Sequence, residues 1–326
     1  MSGHDPGSSA WIWTEYWRTG RRGCLTDEAP VSARNHIEAL WRGWFRQLPQ
    51  SARIVDLACG SGEVARIASS VGEEARLLFD IEGVDLALLD ETGESKARGN
   101  GTTMRLRGGI DIAHLPFADG SFDCAVSQFG IEYAEPRAAC REVARVLAQQ
   151  GRGLLLVHHA ESAITAAAAS RLQAFAALIG DGLLLDRARG IYEAIARQAP
   201  RESITTQLAE FRQSVRQTLD MHSAKWAWEG NLREILAFLA DLARNPQIYD
   251  PFDALRRLDA ARDAIMAWQA RQQSQLAAAR DETGMQALEG TLRAAGLQLR
   301  DIAVVNDPAD GAILAWSCSF AGSEAR

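Results

Sequence analysis

The feature that most constrains the fold is an apolar segment that runs into an acid and then into a tight glycine-rich turn. Residues 54–62 read Ile-Val-Asp-Leu-Ala-Cys-Gly-Ser-Gly, and the helix predicted after them is apolar on one face. Because glycine permits positive φ and a close approach of the backbone, such a unit presents bare N–H groups to a ligand. A second acid, Asp85, ends the next apolar segment about 20 residues further on. At that spacing a carboxylate accepts both hydroxyls of a ribose, which indicates a nucleoside-bearing cofactor.

Strands and helices alternate on both sides of a long helical block. Strands are predicted at 53–58, 79–84, 105–109, 122–128 and 152–158, with helices at 62–71, 86–90 and 136–149. This alternation is typical of a parallel sheet that is covered on both faces. Residues 161–284 break it and predict helices near 162–179, 182–197, 203–221, 229–244 and 251–281. A helix over 285–295 then precedes strands at 297–305 and 312–320, and their short connecting turn makes these two strands antiparallel.

The N-terminal residues are rich in aromatic side chains. Trp11, Trp13, Tyr16 and Trp17 precede a predicted helix over 36–48 that ends before a proline. Two interpretations are open: an arm packed on the main domain, or a lid whose aromatic side chains cover a ligand.

Composition narrows the class of protein. The formal charge of −7 argues against a nucleic-acid substrate, which needs a basic surface. The five cysteines lack metal-type spacing, which indicates free thiols and predicts no metal site, although His158, His159, Glu161 and Asp123 are conceivable ligands. We find no apolar signal segment in the first ten residues and no apolar run of about 18 residues. The sequence therefore predicts a cytoplasmic protein with no membrane span.

Two nucleotide-binding families compete for the glycine loop. Residues 60–65 formally fit G-x-G-x-x-A, the fingerprint of dinucleotide-binding proteins. Three features oppose it: Asp56 before the loop, which suits a cationic ligand; the segment from Asp111 to Phe117, which follows the third predicted strand; and the final antiparallel hairpin. This set resembles the class I S-adenosylmethionine-dependent methyltransferases, in particular the branch that contains the ubiquinone and menaquinone methyltransferases.

The resemblance covers about residues 51–160 and 285–320 and implies an α/β fold with a seven-stranded, Rossmann-like methyltransferase sheet and an antiparallel C-terminal hairpin. The helical block between these segments and the N-terminal arm lie outside the resemblance, and the block is predicted to be a large helical insertion. The expected domains are an aromatic helical arm or lid over 1–50, a cofactor-binding core over 51–160 and 285–326, and the insertion over 161–284. The insertion enters where the fifth strand ends, so we expect it to cap the site. Alternatively, its long helix pairs with a second copy in a homodimer.

The resemblance also implies the cofactor, S-adenosylmethionine, and the residues that bind it. The methionine part is expected at Asp56, Gly60, Ser61 and Gly62, with Gln128 offering its backbone carbonyl to the cofactor's amino group. Asp85 takes the ribose, Leu86 flanks the adenine, and Asp111 and the N–H of Ile112 contact the ring. The predicted acceptor-binding residues are Trp13, Tyr16, Trp17 and Tyr133.

The predicted reaction is methyl transfer to an O, N or C nucleophile of a small or medium organic acceptor. His158 and His159 follow the fifth strand, and one of them is the candidate general base. Strand alternation points only one of the two toward the cofactor, and the sequence does not say which. Two alternatives are a methyltransferase that acts on a protein, peptide or tRNA through the insertion, and a cofactor-binding protein without catalysis.

Overall fold

The computed structural model describes residues 9–18, 23, 30–89, 94–96, 101–176, 178, 183–226 and 230–322. Within these residues, eight strands form one sheet in the order β3-β4-β2-β1-β5-β6-β8-β7. The strands are β1 Arg53–Leu57, β2 Asp80–Val84, β3 Glu94–Lys96, β4 Thr103–Arg107, β5 Phe122–Gln128, β6 Leu147–Val157, β7 Gln298–Asn306 and β8 Ile313–Ala321. All seven predicted strands are present, and the short β3 is an additional one at the edge.

The sheet is parallel at its centre and antiparallel toward both edges. Strands β4, β2, β1, β5 and β6 run parallel, whereas β8 is antiparallel to both β6 and β7. The carboxyl ends of the parallel strands therefore meet at one edge, which is where ligands bind in open α/β sheets. This arrangement confirms the expected methyltransferase-type sheet with its C-terminal hairpin.

Ten α-helices accompany the sheet in the described residues. They are α1 Ser9–Arg18, α2 Val31–Phe45, α3 Glu63–Ala75, α4 Pro136–Val146, α5 Ala163–Ala176, α6 Leu184–Ala196, α7 Arg201–Trp226, α8 Gly230–Arg244, α9 Pro251–Ala278 and α10 Glu282–Ala294. None of these helices is both long and apolar enough to span a bilayer.

In the described residues, the two faces of the sheet carry two apolar clusters that draw on alternate residues of the same strands. On β1, Ile54 belongs to one cluster together with Trp41 and Phe45 of α2, while Val55 and Leu57 belong to the other. Helices α2 and α3 pack together, as do α4 and α10. This alternation is what a strand buried on both faces requires. The cysteines at 59, 124, 140 and 318 are buried free thiols, and Cys24 lies outside the described residues.

Residues 169–273 form a compact unit of their own, distinct from a unit made of residues 1–168 and 274–326. Helices α6, α7 and α8 pack against one another in it around buried side chains such as Tyr192, Phe211 and Leu239. It lies inside the stretch predicted as a helical insertion. The expectation that the insertion caps the site stays a prediction.

One helix prediction is wrong. Residues 86–90 were expected to be helical, but the described part of this segment, up to Leu89, is a loop. Asp85 accepts the N–H of Ala87 in an Asx-type turn, and the carbonyl of Ala87 is taken by the N–H of Gly109 instead of by a helical partner. The predicted helix over 136–149 also stops early, because β6 already begins at Leu147.

Candidate functional site

The glycine loop joins β1 to α3 through left-handed backbone. Gly60 has φ of 54° and Gly62 has φ of 86°, and Gly62 occupies the N-cap position of α3. A Cβ added at Gly60 would lie 2.2 Å from the indole of Trp17. The residue at position 60 must therefore be glycine both for its backbone conformation and because the aromatic arm packs directly on it.

Asp56 is a buried acid beneath this loop. Its side chain is 1% exposed, and Oδ2 accepts the N–H of Ala65 at 3.1 Å. Burial is the main cause that raises the pKa of Asp56 to about 8; the hydrogen bond from Ala65 lowers it, and the nearby carboxylates of Asp85 and Glu63 raise it. A cation bound beside a buried acid favours the ionised form of that acid, so this position suits a cationic ligand group.

Asp85 connects the glycine loop to the end of β2. Its Oδ2 accepts the N–H of Gly60 at 2.7 Å, and its Oδ1 accepts the N–H of Ala87 at 2.8 Å. Burial raises the pKa of Asp85, while these two hydrogen bonds lower it. The carboxylate is thereby fixed in one orientation at the carboxyl edge of the sheet.

The first cleft, of about 630 Å³ including its mouth, lies beside Asp85. It brings together four of the predicted cofactor residues, Asp85, Leu86, Asp111 and Ile112, and three of the predicted acceptor residues. Its full lining is Trp13, Trp17, Ala58, Asp85, Leu86, Ile110, Asp111, Ile112, Phe129, Gly130, Tyr133 and Ala134.

The second cleft, of about 230 Å³, lies over the glycine loop. It contains the predicted Asp56, Ser61 and Gln128, together with an acid that sequence reasoning missed, Glu63. Gln128 donates to Glu63 at 3.0 Å and accepts the indole N–H of Trp41 at 2.5 Å, so its amide orientation is set. Trp17 lines both clefts, which are therefore neighbours.

The aromatic arm is α1, and it is held on the core by polar and ring contacts. Thr14 Oγ1 accepts the N–H of Leu88, at 2.9 Å. Trp13 meets the ring of Tyr133 edge-on at 5.2 Å. Tyr16 is buried and outside both cleft linings, and its hydroxyl donates to the carbonyl of Gly23 at 3.4 Å. Trp13 and Trp17 line the same cleft as Asp85, so the arm packs on the core at that cleft. A lid function for the arm stays a prediction.

The structure separates the two histidines after β6. His158 is 4% exposed and lies 4.4 Å from the ring of Phe129 and 6.0 Å from that of Tyr133, both of which line the first cleft. His159 instead stacks on Trp316 at 4.6 Å. Burial lowers the pKa of His159. Of the two, His158 is the one beside the cleft wall.

A second acid that sequence reasoning missed lies against His158. Oε1 of Glu132 accepts both the backbone N–H and the ring Nδ1 of His158, each at 2.8 Å. The only sequence signal was a pair of acids near the ligand-binding edge: Glu63 directly after the glycines, and Glu132 four residues after β5. Among the described residues, no three histidine, cysteine or acidic side chains are grouped so that they could hold a metal ion.

Residues 55–155 match a family model described as a methyltransferase domain. This segment of the chain is a methyltransferase domain. The chain is 33% identical over 128 residues to the ubiquinone/menaquinone biosynthesis C-methyltransferase UbiE of Geotalea uraniireducens, a match that covers 37% of this chain and 52% of the relative. It is 35% identical over 111 residues to the uncharacterized methyltransferase YcgJ of Bacillus subtilis, covering 33% of this chain and 41% of the relative. The matches thus span about half or less of these curated relatives.

One comparison with a solved structure aligns nearly the whole length of both chains. The solved 1,6-didemethyltoxoflavin-N1-methyltransferase of Burkholderia thailandensis covers 99% of this chain and 92% of its own, at 13% identity and a TM-score of 0.44. The fold assignment here rests on the strand order and pairing of this chain's own sheet.

Proposed function

We propose that this protein is an S-adenosylmethionine-dependent methyltransferase that acts on a small organic acceptor. The observation that carries the proposal is the position of Asp85, which is bonded to the glycine loop and lines the first cleft with Asp111 and Ile112. When bound, the cofactor supplies an electrophilic methyl group on a sulfonium.

The residues that line the two clefts suit the two ends of this cofactor. In the first, Asp85 is placed to accept the ribose hydroxyls, with Leu86, Asp111 and Ile112 around the adenine. In the second, Asp56 and Glu63 supply negative charge for the cationic methionine end, and Gln128 lies beside them. Charge-assisted hydrogen bonds of this kind are the strong ones in protein sites.

The remaining wall of the first cleft suits the acceptor. Trp13, Phe129 and Tyr133 present aromatic surface there, and Trp17 covers the boundary between the clefts. We propose that this wall orients a small apolar or aromatic acceptor and excludes water, which favours displacement at a methyl group. His158, behind Phe129 and Tyr133, accepts the proton that the acceptor loses.

The curated relatives support the choice of acceptor class. Those matched include enzymes named for ubiquinone and menaquinone biosynthesis and a demethylmenaquinone methyltransferase from Corynebacterium kroppenstedtii, 34% identical over 120 residues with 36% of this chain and 47% of the relative covered. Their names describe small molecules, and the proposal places this chain's acceptor in the same broad class. A homodimer and a cytoplasmic location stay predictions, the first testable by light scattering.

Calorimetry with S-adenosylmethionine and with NAD tests the cofactor. Binding of the first alone is the expected result, and binding of NAD alone would overturn the proposal. Methyl transfer from labelled cofactor is then followed with reduced demethylmenaquinone and a panel of phenols, enols and amines, with a total protein and tRNA extract as the macromolecular comparison. Label in a small acceptor supports the proposal. Label only in the extract, or no transfer despite tight binding, supports one of the two alternatives instead.

A further inference from the structure

Glu132 is a carboxylate buried at the wall of the proposed site. It lies in a short 3-10 turn, Ile131–Tyr133, directly after β5, and its side chain has 0% exposure. A buried carboxylate is costly unless specific partners hold it. Here one oxygen, Oε1, accepts two bonds from a single residue, His158, and the other, Oε2, has no hydrogen-bond partner among the described atoms.

These two bonds fix the imidazole of His158. An ionised carboxylate only accepts, so ring nitrogen Nδ1 carries a proton, and in the neutral ring Nε2 keeps its lone pair. The bond to the backbone N–H ties the same oxygen to the main chain, so the ring cannot rotate without losing a bond. Nε2 lies on the side of the ring away from Glu132, and the rings of Phe129 and Tyr133 pack against the same imidazole.

The surroundings hold this pair in place. The Arg280 guanidinium donates to the backbone carbonyl of Glu132 at 3.1 Å, and the Arg280 backbone N–H donates to the carbonyl of His158 at 2.8 Å. The carbonyl of Arg280 in turn accepts the indole N–H of Trp316. Hydrogen bonds from Arg280 thus join the chain segment that carries Glu132 to the segment that carries His158, and they restrain the two segments relative to each other.

We propose that Glu132 is a positioning residue that makes His158 a general base; this role rests on the proposed methyl transfer. The acceptor atom forms a bond to the methyl carbon, the carbon–sulfur bond breaks with its electron pair left on sulfur, and the acceptor's proton goes to Nε2 of His158. The positive charge lost at sulfur appears on the imidazolium, beside the carboxylate of Glu132. Solvent later removes the proton.

The first test needs no acceptor. Nitrogen-15 NMR of the unliganded protein, with the signal assigned by its loss in His158→Asn, reports which ring nitrogen of His158 is protonated. The proposal requires a proton on Nδ1 and a bare Nε2 in the neutral ring. A proton on Nε2 instead would overturn it, whatever the activity.

The second test is a double-mutant cycle on turnover, with the acceptor that the panel identifies. Glu132→Gln should lower kcat about 100-fold with less than a twofold change in acceptor KM and in calorimetric cofactor affinity, and His158→Asn should lower kcat about 100-fold or more. The matched control is Glu142→Gln, which alters a carboxylate that accepts a backbone N–H from Leu115 away from the clefts.

Groups that act as a unit give non-additive losses. The double variant should therefore be no slower than His158→Asn alone, within about twofold. A multiplicative loss, or a Glu132→Gln variant as fast as the Glu142→Gln control, would overturn the role. Absence of wild-type turnover on every acceptor would overturn the proposed function and this role together, whereas turnover that survives in Glu132→Gln overturns this role alone.

Discussion

Removing the charge of Asp56 should stabilise the unliganded protein, and increasingly so as the pH rises. Asp56→Asn keeps the shape of the side chain and an oxygen that accepts the Ala65 N–H, but it cannot ionise. In the folded protein burial raises the pKa of Asp56 from 3.8 to about 8. The folded state therefore holds a proton that the unfolded state releases.

The sign follows from proton linkage. When the folded pKa of an acid exceeds its unfolded value, stability is greatest below the unfolded pKa and is lost as the pH rises toward the folded one. For Asp56 that window runs from 3.8 to about 8. Between pH 5 and pH 8 the loss is about 1.4 kcal/mol per pH unit, or about 4 kcal/mol in total.

Thermal unfolding measures this loss. The difference in Tm between Asp56→Asn and wild type should grow by about 8–16 °C from pH 5 to pH 8, taking about 2–4 °C per kcal/mol for a unit of this size. The control Asp123→Asn removes a partly exposed carboxylate that accepts the backbone N–H of Arg53, and it should give no such stabilisation. An Asp56→Asn variant whose Tm follows the wild-type pH dependence would refute the reasoning.

The affinity for the cofactor should rise with pH, whereas the stability of the unliganded protein falls. A cation in the second cleft favours the ionised form of Asp56, so wild-type affinity for S-adenosylmethionine should rise between about pH 6 and pH 9. Asp56→Asn should bind more weakly and without that rise. Calorimetry at three pH values distinguishes the two proteins, and equal pH dependence would show that Asp56 does not face the cationic end.

Three further variants test neighbouring parts of the site. Asp85→Ala should weaken cofactor binding about 10- to 100-fold through the loss of charge-assisted hydrogen bonds, and unchanged affinity in calorimetry would contradict its ribose role. Gly60→Ala should lower the free energy of unfolding by about 1–3 kcal/mol, because alanine is strained in the left-handed backbone conformation. Its added methyl group should also clash with Trp17 and shift the tryptophan emission to the red. An emission spectrum like that of the wild type would mean that the arm does not rest on the loop. His158→Asn should lower turnover about 100-fold or more while His36→Asn, in α2, leaves it unchanged, and equal rates would remove the general-base role.

The parts of the fold that depend on local chemistry could be predicted from the sequence. The glycine loop, the strand-end acid Asp85 and the C-terminal hairpin each follow from residues close together in the chain, and the structure contains all three. The helix expected after Asp85 failed because apolar residues there favoured it, while the turn that Asp85 itself caps uses the backbone groups that a helix needs.

The choice between His158 and His159 needed tertiary structure. Strand β6 ends at Val157, so both histidines lie beyond the regular alternation that would assign them to opposite faces. What separates them is packing: Phe129 contacts one ring, and Trp316, 157 residues further along the chain than His159, stacks on the other. No periodicity in the sequence encodes such a pairing.

The contact between Glu132 and His158 could not be predicted from the sequence either. An acid in a short turn after a strand is ordinarily solvated, and its place near the ligand-binding edge does not reveal that Glu132 is buried. The sheet places β5 and β6 side by side, with Gln128 opposite Leu156, so the turn after one strand meets the residue after the other. Burial of the carboxylate and orientation of the imidazole are therefore one consequence of strand pairing. A sequence pattern that finds cofactor loops will miss a carboxylate–imidazole pair of this kind, because its two members come from separate strand ends and meet only when the sheet forms.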